Sequence, residues 1–269
     1  PLSYQMKLLE EELHLPLIER SARGIALTEA GRVLYKRAQG ILELSELTRK
    51  EMLAMASGFT GTLHIGTVSS SGASLLGWRI PAFHQKHPQI GFAIHEGNTF
   101  ELMEMLESGL IELAIVRTPF HNDQLNCLYL SPEPMIAAGA ASFFPAGMPS
   151  GQPISLELLG HAPVILYRRF EKILLSLCEQ KGITPQVFCI ADDARTTLMW
   201  AEAGLGVAVV PQSAYRIMPH HNMVYGELSE EDLHTRIAAV CKKGCSLSWA
   251  AQQFLEIFAQ QPPSAQTGI

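Results

Sequence analysis

Short polar runs follow several apolar stretches of this sequence, and their side chains suit the binding of a small anion. Ser69, Ser70 and Ser71 end one such stretch, where hydroxyls and free main-chain amides can hold a carboxylate or another anion. Asn98 and Thr99 occupy the equivalent place after a second stretch. Both sets have an alternative interpretation, in which the polar residues only end a strand and cap the following helix.

Charged residues occupy similar places elsewhere in the chain. Arg117 follows a third apolar stretch, and its guanidinium suits pairing with an anionic ligand, although an exposed arginine near a hinge is the commoner case. Asp193 and Arg195 begin a predicted helix in the second half of the chain. These residues are candidates for binding the same ligand if the fold brings them together.

Alternating strands and helices are predicted to position these candidates. Apolar strands alternate with helices across glycine and proline turns, which is typical of a βαβαβ unit with a parallel sheet. The predicted strands are 62–68, 89–95 and 111–116, and the predicted helices are 70–85 and 100–107.

The second half of the chain repeats this pattern. Residues 184–190 mirror 87–94, and in both copies a helix, a glycine turn and an apolar strand follow. Two similar α/β lobes are therefore predicted, with the strand at 237–240 and the helix at 248–259 returning to complete the first lobe. Ligands of open α/β sheets bind beyond the carboxyl ends of the strands, so the candidates should meet in a crevice between the lobes.

The first sixty residues have a different pattern. Apolar residues spaced by three and four predict a helix over 2–13. Short strands at 17–20 and 25–27 predict a hairpin, and Thr28 is a predicted cap of a long helix that runs to about Ser57. Because the chain opens inside a helix, with a proline and no initiator methionine, we expect an N-terminal piece to be missing.

The long helix carries a heptad pattern along one side. Its seam alternates spacings of four and three, as in a coiled coil, so the helix is predicted to dimerise. The alternative is an ordinary surface helix packed on its own domain. The seam consists of Leu34, Ala38, Ile41, Ser45, Thr48, Met52 and Met55.

The composition restricts the class of protein. A formal net charge of −6 argues against a surface that wraps nucleic acid, but it allows a local basic face. The five cysteines show no disulfide pattern. The sequence also contains neither an apolar run of roughly 18 residues nor a secretion signal. We therefore expect a cytoplasmic protein with reduced thiols and no membrane partner.

No motif in the sequence predicts catalysis, a cofactor or a metal site. The Gly-x-Ser-x-Gly, P-loop and Rossmann fingerprints are absent. His220 and His221 lack further ligands at metal-binding spacing, so we interpret them as solvated loop residues. Thiol sensing by Cys241 and Cys245 is an alternative role, although free cysteine usually acts as a small buried hydrophobe.

Several segments resemble a known family of regulators. Residues 1–20, PLSYQMKLLEEELHLPLIER, and 27–31, LTEAG, resemble the signature of the LysR-type transcriptional regulators. Residues 61–66, GTLHIG, and 203–211, AGLGVAVVP, are similar to that family's entry into its effector domain and to its second-lobe motif. The resemblance thus covers nearly the whole chain.

The resemblance implies an α/β protein of three parts. These are a truncated N-terminal winged helix-turn-helix, a long linker helix, and a two-lobed effector domain of the type 2 periplasmic-binding-protein kind. The expected bounds are 1–27 for the DNA-binding part, 28–58 for the linker, 59–121 with 237–262 for the first lobe, 122–236 for the second lobe and 263–269 for a flexible tail.

The resemblance also implies roles for residues near the amino end. In that family the helix carrying Leu-Ser-x-Gln is the recognition helix and the hairpin is the wing. Ser3, Tyr4 and Lys7 would then contact DNA in the major groove, and Arg23 at the wing tip would reach the minor groove or a phosphate. The alternative is that these are ordinary exposed residues of a solvated helix and turn.

The implied activity is regulation of transcription by a small effector. A metabolite bound between the lobes would favour one lobe arrangement and so change how a homodimer or homotetramer presents its DNA-binding parts. A bilobed solute-binding protein and an enzyme that uses the crevice are the alternatives from other classes.

Overall fold

The structure is a computed structural model that describes residues 2–21, 24–56, 61–216 and 219–260. It divides into two compact units. The first unit is Pro1–Gly61 with Ser108–Leu110, and the second is Thr62–Glu107 with Ile111–Ile269. Among the predictions, the wing residue Arg23, the end of the long helix at Ser57 and the flexible tail lie outside the described residues.

The first unit contains two helices joined by a hairpin, as predicted. Glu10 fastens the first helix to the hairpin, because its Oε1 accepts hydrogen bonds from the main-chain N–H groups of Leu17 (2.7 Å) and Ile18 (3.1 Å). The elements are helix α1 (Leu2–Leu13), strands β1 (Ile18–Ser21) and β2 (Gly24–Leu27), and helix α2 (Glu29–Ala56).

Thr28 is the N-cap of α2 that its sequence predicts. Its Oγ1 accepts from the N–H of Gly31 (2.9 Å), which satisfies one of the free donors of the first turn. The same hydroxyl donates to the carbonyl of Pro16 (2.7 Å), on the other side of the hairpin. The cap therefore ties the start of α2 to the chain before β1.

The predicted seam of α2 is largely exposed in a single chain. Ile41 is 67% exposed and Met52 is 56% exposed, whereas Leu34 and Ala38 nearer the hairpin are partly buried. Exposed apolar side chains along one side are what a helix needs to pair with a second helix. Dimerisation through this seam stays a prediction.

The second unit begins with a lobe built on a five-stranded sheet. The strand order is β4-β3-β5-β14-β6, in which β3 and β5 are parallel and β14 runs antiparallel to both β5 and β6. The strands are β3 (Gly61–Thr67), β4 (Ile90–Glu96), β5 (Leu113–Arg117), β6 (Leu125–Tyr129) and β14 (Ile237–Lys242). The helices are α3 (Ser69–Lys86), α4 (Thr99–Ser108) and α8 (Trp249–Phe258).

The second lobe is built on a seven-stranded sheet with the same central arrangement. The strand order is β10-β9-β11-β7-β12-β8, and β13 pairs with the first residues of β7. The strands are β7 (Glu133–Ala140), β8 (Gln152–Ile154), β9 (Pro163–Tyr167), β10 (Gln186–Ala191), β11 (Val207–Pro211), β12 (Met223–Leu228) and β13 (His234–Thr235). The helices are α5 (Arg168–Gln180), α6 (Ala194–Glu202) and α7 (Gln212–Tyr215).

The predicted repeat is confirmed. Strands β4-β3-β5 of the first sheet and β10-β9-β11 of the second have the same order, with parallel pairing of β9 to both of its neighbours. The returning strand β14 completes the first sheet, as the sequence predicts. The chain thus forms two α/β lobes whose parallel strands carry the candidate residues at their carboxyl ends.

The predicted start of the second lobe at residue 122 is corrected by strand β6. This strand pairs with β14 from Leu125↔Lys242 to Tyr129↔Ala238, so it belongs to the first sheet. The chain crosses to the second lobe only after Tyr129. A lone short strand without an adjoining helix carries no local signal for the sheet it will join, because pairing depends on a partner more than a hundred residues away.

Arg79 fastens α8 to the first lobe. Its Nε and Nη2 donate to the carbonyl of Phe258 (3.2 and 3.1 Å), and its guanidinium lies over the rings of Trp78 and Phe258. Burial lowers the pKa of Arg79 to about 10. The arginine therefore satisfies a terminal carbonyl of the closing helix.

The cysteines lie in or near separate apolar clusters. Cys127 packs on one face of the first sheet and Cys241 lies in the core on the opposite face, while Cys178 is buried in the second lobe. Burial raises the pKa of both Cys178 and Cys241, which disfavours the reactive thiolate. These three therefore match the interpretation as packing residues.

Candidate functional site

The predicted ligand residues gather at the carboxyl ends of parallel strands in both lobes. Ser69 to Ser71 form the first turn of α3 after β3, and Thr99 begins α4 after β4. Arg117 is the last residue of β5, and Asp193 precedes α6 after β10. Contacts between these ends, described below, join the two lobes.

The two polar clusters of the first lobe differ in whether their side chains cap the following helix. Asn98 is a cap, because its Oδ1 accepts from the N–H of Glu101 (3.1 Å) while the Glu101 carboxylate accepts from the N–H of Asn98 (2.9 Å). At α3 the N-cap is Val68, which has no side chain to accept a hydrogen bond. Ser70 and Ser71 lie inside the first turn and are fully buried. The serines are therefore not caps, whereas Asn98 is.

Arg117 is buried in a polar network rather than exposed at a hinge. Its side chain is 0% exposed, and it forms an ion pair with Glu133 at the start of β7. Its guanidinium also donates to Thr235 Oγ1 (2.8 Å) and Ser213 Oγ (2.8 Å) in the second lobe. The expected commoner case of an exposed arginine is wrong, because the guanidinium has carboxylate and hydroxyl partners that replace water.

Glu133 is held from several sides. Its carboxylate accepts from the main-chain N–H of Ser213 (2.6 Å) and from the Ser213 hydroxyl (2.9 Å), in addition to the guanidinium of Arg117. The chain therefore provides its own anion for Arg117. An effector would have to displace this carboxylate before it could pair with the Nη1 group of Arg117.

Arg195 forms a bridge from the second lobe to the first. Its guanidinium binds Asp193 (2.7 Å) and also Glu96 at the end of β4 (3.2 Å). Burial by itself would raise the pKa of Asp193, but hydrogen bonds from Arg195 outweigh it and hold the pKa below its usual value. Asp193 also accepts from the N–H of Arg195 as the N-cap of α6. Both residues therefore have structural partners already.

Arg169 is a second bridge, and sequence reasoning missed it. It lies in the first turn of α5 and donates to Thr99 Oγ1 (2.6 Å), to the carbonyl of Pro119 (3.2 Å) and to the carbonyl of Arg117. Burial lowers its pKa; the nearby Tyr167 acts against this shift, and the positive charge of Arg117 adds to it. The available signal was the pair Arg168–Arg169 directly after the apolar run of β9.

The residues proposed for DNA contact share one surface of the first unit. Ser3, Tyr4 and Lys7 line an open concavity of that unit. Tyr4 is 61% exposed, and the Lys7 ammonium lies 3.6 Å from the carboxylate of Glu11 in an exposed pair. Exposed pairs of this kind are weak, so Lys7 is available to a phosphate.

The histidines chosen as solvated loop residues differ from one another. His221 is exposed, but the side chain of His220 is 6% exposed. The His220 ring stacks on Tyr215 at 4.0 Å, and its Nδ1 lies 3.4 Å from the Glu202 carboxylate. The interpretation of His220 as solvated is therefore wrong. Within the described ranges no three metal-ligating side chains are grouped, and no helix has the length and apolar character of a membrane span.

Comparison with known proteins bears on both units. Residues 56–263 match the family described as LysR substrate binding domain, and residues 1–32 match the family described as bacterial regulatory helix-turn-helix protein, lysR family. The chain is 30% identical over 267 residues to the HTH-type transcriptional regulator BudR of Raoultella terrigena, with 96% of this chain and 90% of that protein covered. It is 26% identical to the HTH-type transcriptional regulator BsdA of Bacillus subtilis (strain 168), with the same coverage.

Solved structures agree with the fold. The structure of CbnR, a LysR family transcriptional regulator, matches with a TM-score of 0.77 and 22% identity, covering 96% of this chain and 88% of that chain. Full-length CbnR has also been solved in complex with its target DNA. At this identity the likeness supports the arrangement of helices and lobes described above.

Proposed function

Because this chain belongs to the LysR family of bacterial transcriptional regulators, we propose that a small effector bound between its two lobes controls how it binds promoter DNA. Residues 1–32 match the helix-turn-helix part of that family and residues 56–263 match its substrate-binding domain. The observation that carries the proposal is the pair of contacts between the lobes, in which Arg169 and Arg195 of one lobe bind Thr99 and Glu96 of the other.

The proposed DNA-reading element is helix α1. Ser3 and Tyr4 lie in its first turn and are exposed, as residues that reach base edges must be. Lys7 follows one turn later, where its ammonium would neutralise a backbone phosphate. Arg23 would contact the minor groove or a phosphate from the wing. Binding of chromosomal DNA requires the cytoplasm, and we propose that location for the protein.

The first test concerns Lys7. In the full-length protein, Lys7→Ala should weaken binding to all sequences alike and lower the slope of log affinity against log salt by about one unit, because one fewer counterion is released. Fluorescence anisotropy between 50 and 200 mM salt, about the range over which such slopes are read, provides the measurement. The DNA is a fragment recovered by selecting genomic fragments on the protein.

The matched control is Lys172→Ala, which removes an exposed lysine on α5 of the second unit. This variant should leave the salt slope unchanged. An unchanged slope in Lys7→Ala would contradict the phosphate role, and failure to select any genomic DNA would contradict DNA binding itself.

The effector is proposed to act by shifting the population of lobe arrangements. Each lobe brings polar side chains to the crevice, so a ligand that contacts both lobes stabilises one arrangement over others. At 100 times its dissociation constant such a ligand should add about 2.7 kcal/mol to stability. Mass spectrometry of metabolites that co-purify with the protein, followed by DNA-binding measurements with each, tests this step. A bound metabolite that alters neither DNA affinity nor the extent of DNA contacted would argue against control by the crevice.

The second test concerns the seam of α2, through which we propose that the protein forms a homodimer or a tetramer of such dimers. Ile41→Glu places a charge in the seam of both helices, so loss of two buried side chains at about 2 kcal/mol each should weaken the dimer about a thousandfold. Analytical ultracentrifugation over a dilution series measures the effect.

The control for the seam is Gln39→Glu, which adds the same charge on an exposed position away from the seam. This variant should dimerise normally. If Ile41→Glu dimerises as the unaltered protein does, α2 is an ordinary surface helix and the subunits associate through another surface.

The alternatives from other classes have less support. A solute-binding protein has no use for the helix-turn-helix matched over residues 1–32. The similar curated proteins are transcriptional regulators, and in the crevice Asp193 and Arg195 are engaged as a cap and a bridge. We therefore propose a regulator without catalytic activity.

A further inference from the structure

Arg169 differs from the other arginines near the crevice in the partners it has. Arg117 is paired with Glu133, Arg168 with Asp192, and Arg195 with Asp193 and Glu96. Within the described part of the chain, no carboxylate lies within 4 Å of the Arg169 guanidinium. Its acceptors are one hydroxyl and two main-chain carbonyls, all uncharged.

The position of Arg169 makes this lack of an anion energetically unfavourable. The side chain is largely buried, and it lies near the positive charge of Arg117. A buried charge that no opposite charge balances is strongly disfavoured, and a bound anion removes most of that penalty. An arginine kept in such a place therefore suits a ligand that supplies the negative charge.

Neighbouring donors point to the same kind of ligand. Nε of Arg169, Nε of Arg117 and Oγ of Ser70 are buried and have no hydrogen-bond partner among the residues that the structure describes. Two of the three are donors only, and the hydroxyl can donate. Buried donors without acceptors are rare in folded proteins. A carboxylate has acceptor oxygens alone when ionised, so it complements this set.

The three donors belong to residues that are linked by hydrogen bonds where the two lobes meet. Arg169 donates to the main-chain carbonyl of Arg117, and the Arg117 guanidinium lies 3.4 Å from the carbonyl oxygen of Ser70. Thr99, which accepts from Arg169, begins α4 on the neighbouring strand end. Ser70 and Thr99 are in the first lobe, whereas Arg169 is in the second.

We propose that Arg169 binds the carboxylate group of the effector, and that the effector is therefore a small organic acid. This inference rests on the proposed function and names the ligand class and the residue that selects it. The guanidinium exchanges its uncharged main-chain acceptors for the carboxylate, and the hydroxyls of Ser70 and Thr99 donate to the same group. Arg117 retains its ion pair with Glu133, so Arg169 is the arginine that pairs with the ligand.

The binding mode also explains how one acid group acts on both lobes. Arg169 now holds the carbonyls of Arg117, the last residue of β5, and of Pro119, two residues later. A ligand that takes over the guanidinium releases these carbonyls and at the same time joins α5 to α3 and α4. The ligand therefore changes which contacts hold the lobes together.

The test compares acids with their amides on the full-length protein. The probes are propionate, phenylacetate and succinate, each paired with propionamide, phenylacetamide or succinamide at equal ionic strength. At least one acid should raise the melting temperature of the unaltered protein, and its amide should not. Arg169→Gln should weaken binding of that acid at least tenfold, since a charge-assisted pair is lost.

Two variants separate recognition from folding. Arg168→Gln removes the adjacent arginine, which is exposed and paired with Asp192, and should keep the response to the acid. Arg169→Lys keeps the charge without the fork of donors and should bind more weakly than arginine but more strongly than glutamine. Melting temperatures without a ligand show whether each variant is folded.

The outcomes distinguish this inference from the proposed function. Equal responses to acid and amide, a full response in folded Arg169→Gln, or no response to any of the acids would overturn the role of Arg169. Acid binding that requires Arg169 but leaves DNA binding unchanged would support the inference and count against the proposed function. The opposite outcome is a neutral metabolite that alters DNA binding equally in the unaltered protein and in folded Arg169→Gln. That result would support the proposed function and count against the inference about Arg169.

Discussion

Replacing Arg117 with methionine should lower the free energy of unfolding of the two-lobed unit by about 3–5 kcal/mol. The change leaves the carboxylate of Glu133 without its guanidinium, at a site where Glu133 is only 17% exposed. The hydroxyls of Ser213 and Thr235 also lose a charged partner. Removing one member of a buried ion pair is far more harmful than removing both, because the remaining charge cannot be hydrated.

Urea unfolding of the purified chain measures this effect. The double variant Arg117→Met with Glu133→Met should recover most of the lost stability, because an apolar pair replaces the ion pair. The control is Arg236→Met, an exposed arginine beside Thr235 whose loss should change stability by about 1 kcal/mol or less. If Arg117→Met is no more harmful than Arg236→Met, the buried pair does not hold the crossing between the lobes.

Replacing Gly31 with alanine should destabilise the first unit by about 3 kcal/mol, the upper range for overpacking. A Cβ at this position would lie 3.0 Å from the carbonyl carbon of Leu17 and closer still to its oxygen. That oxygen cannot move easily, because it accepts from the N–H of Thr28 (3.0 Å). The start of α2 would therefore have to separate from the hairpin.

Gly40 provides a matched control in the same helix. A Cβ there meets nothing within 4 Å, so Gly40→Ala should stabilise α2 by about 0.5–1 kcal/mol through helix propensity alone. Thermal unfolding followed by circular dichroism measures both variants. The prediction about Gly31 would be falsified if both alanines raised the melting temperature alike.

The elements of the first unit were predictable because their signals are local. Apolar spacing of three and four marks α1, and a hydroxyl three residues before Gly31 marks the cap of α2. The repeated strand, helix and glycine turn predicted two lobes for the same reason. In each case the interacting residues are a few positions apart, so a short stretch of sequence is enough to predict the element.

The polar residues at the strand ends were predictable only in part. Parallel strands bring their carboxyl ends to one edge, which correctly predicted where Ser70, Thr99 and Arg195 lie. The same pattern does not separate a cap from a free hydroxyl, because both uses favour the same residue types. Hydrogen bonds decided it: Asn98 caps α4 with Glu101, whereas Ser70 lies buried within its turn.

Local pattern alone was thus enough for the helices and the hairpin of the first unit and for the two-lobed α/β architecture, since each depends on periodicity or on neighbours along the chain. Tertiary packing decided the sheet that β6 joins, the pairing of Arg117 with Glu133 and the position of Arg169 against Thr99. These contacts join residues 16 to more than 100 positions apart, from different elements. Whether an arginine is neutralised or left to bind an anion depends on whether folding brings a carboxylate beside it. The distance between the guanidinium and the nearest carboxylate cannot be read from the residue types.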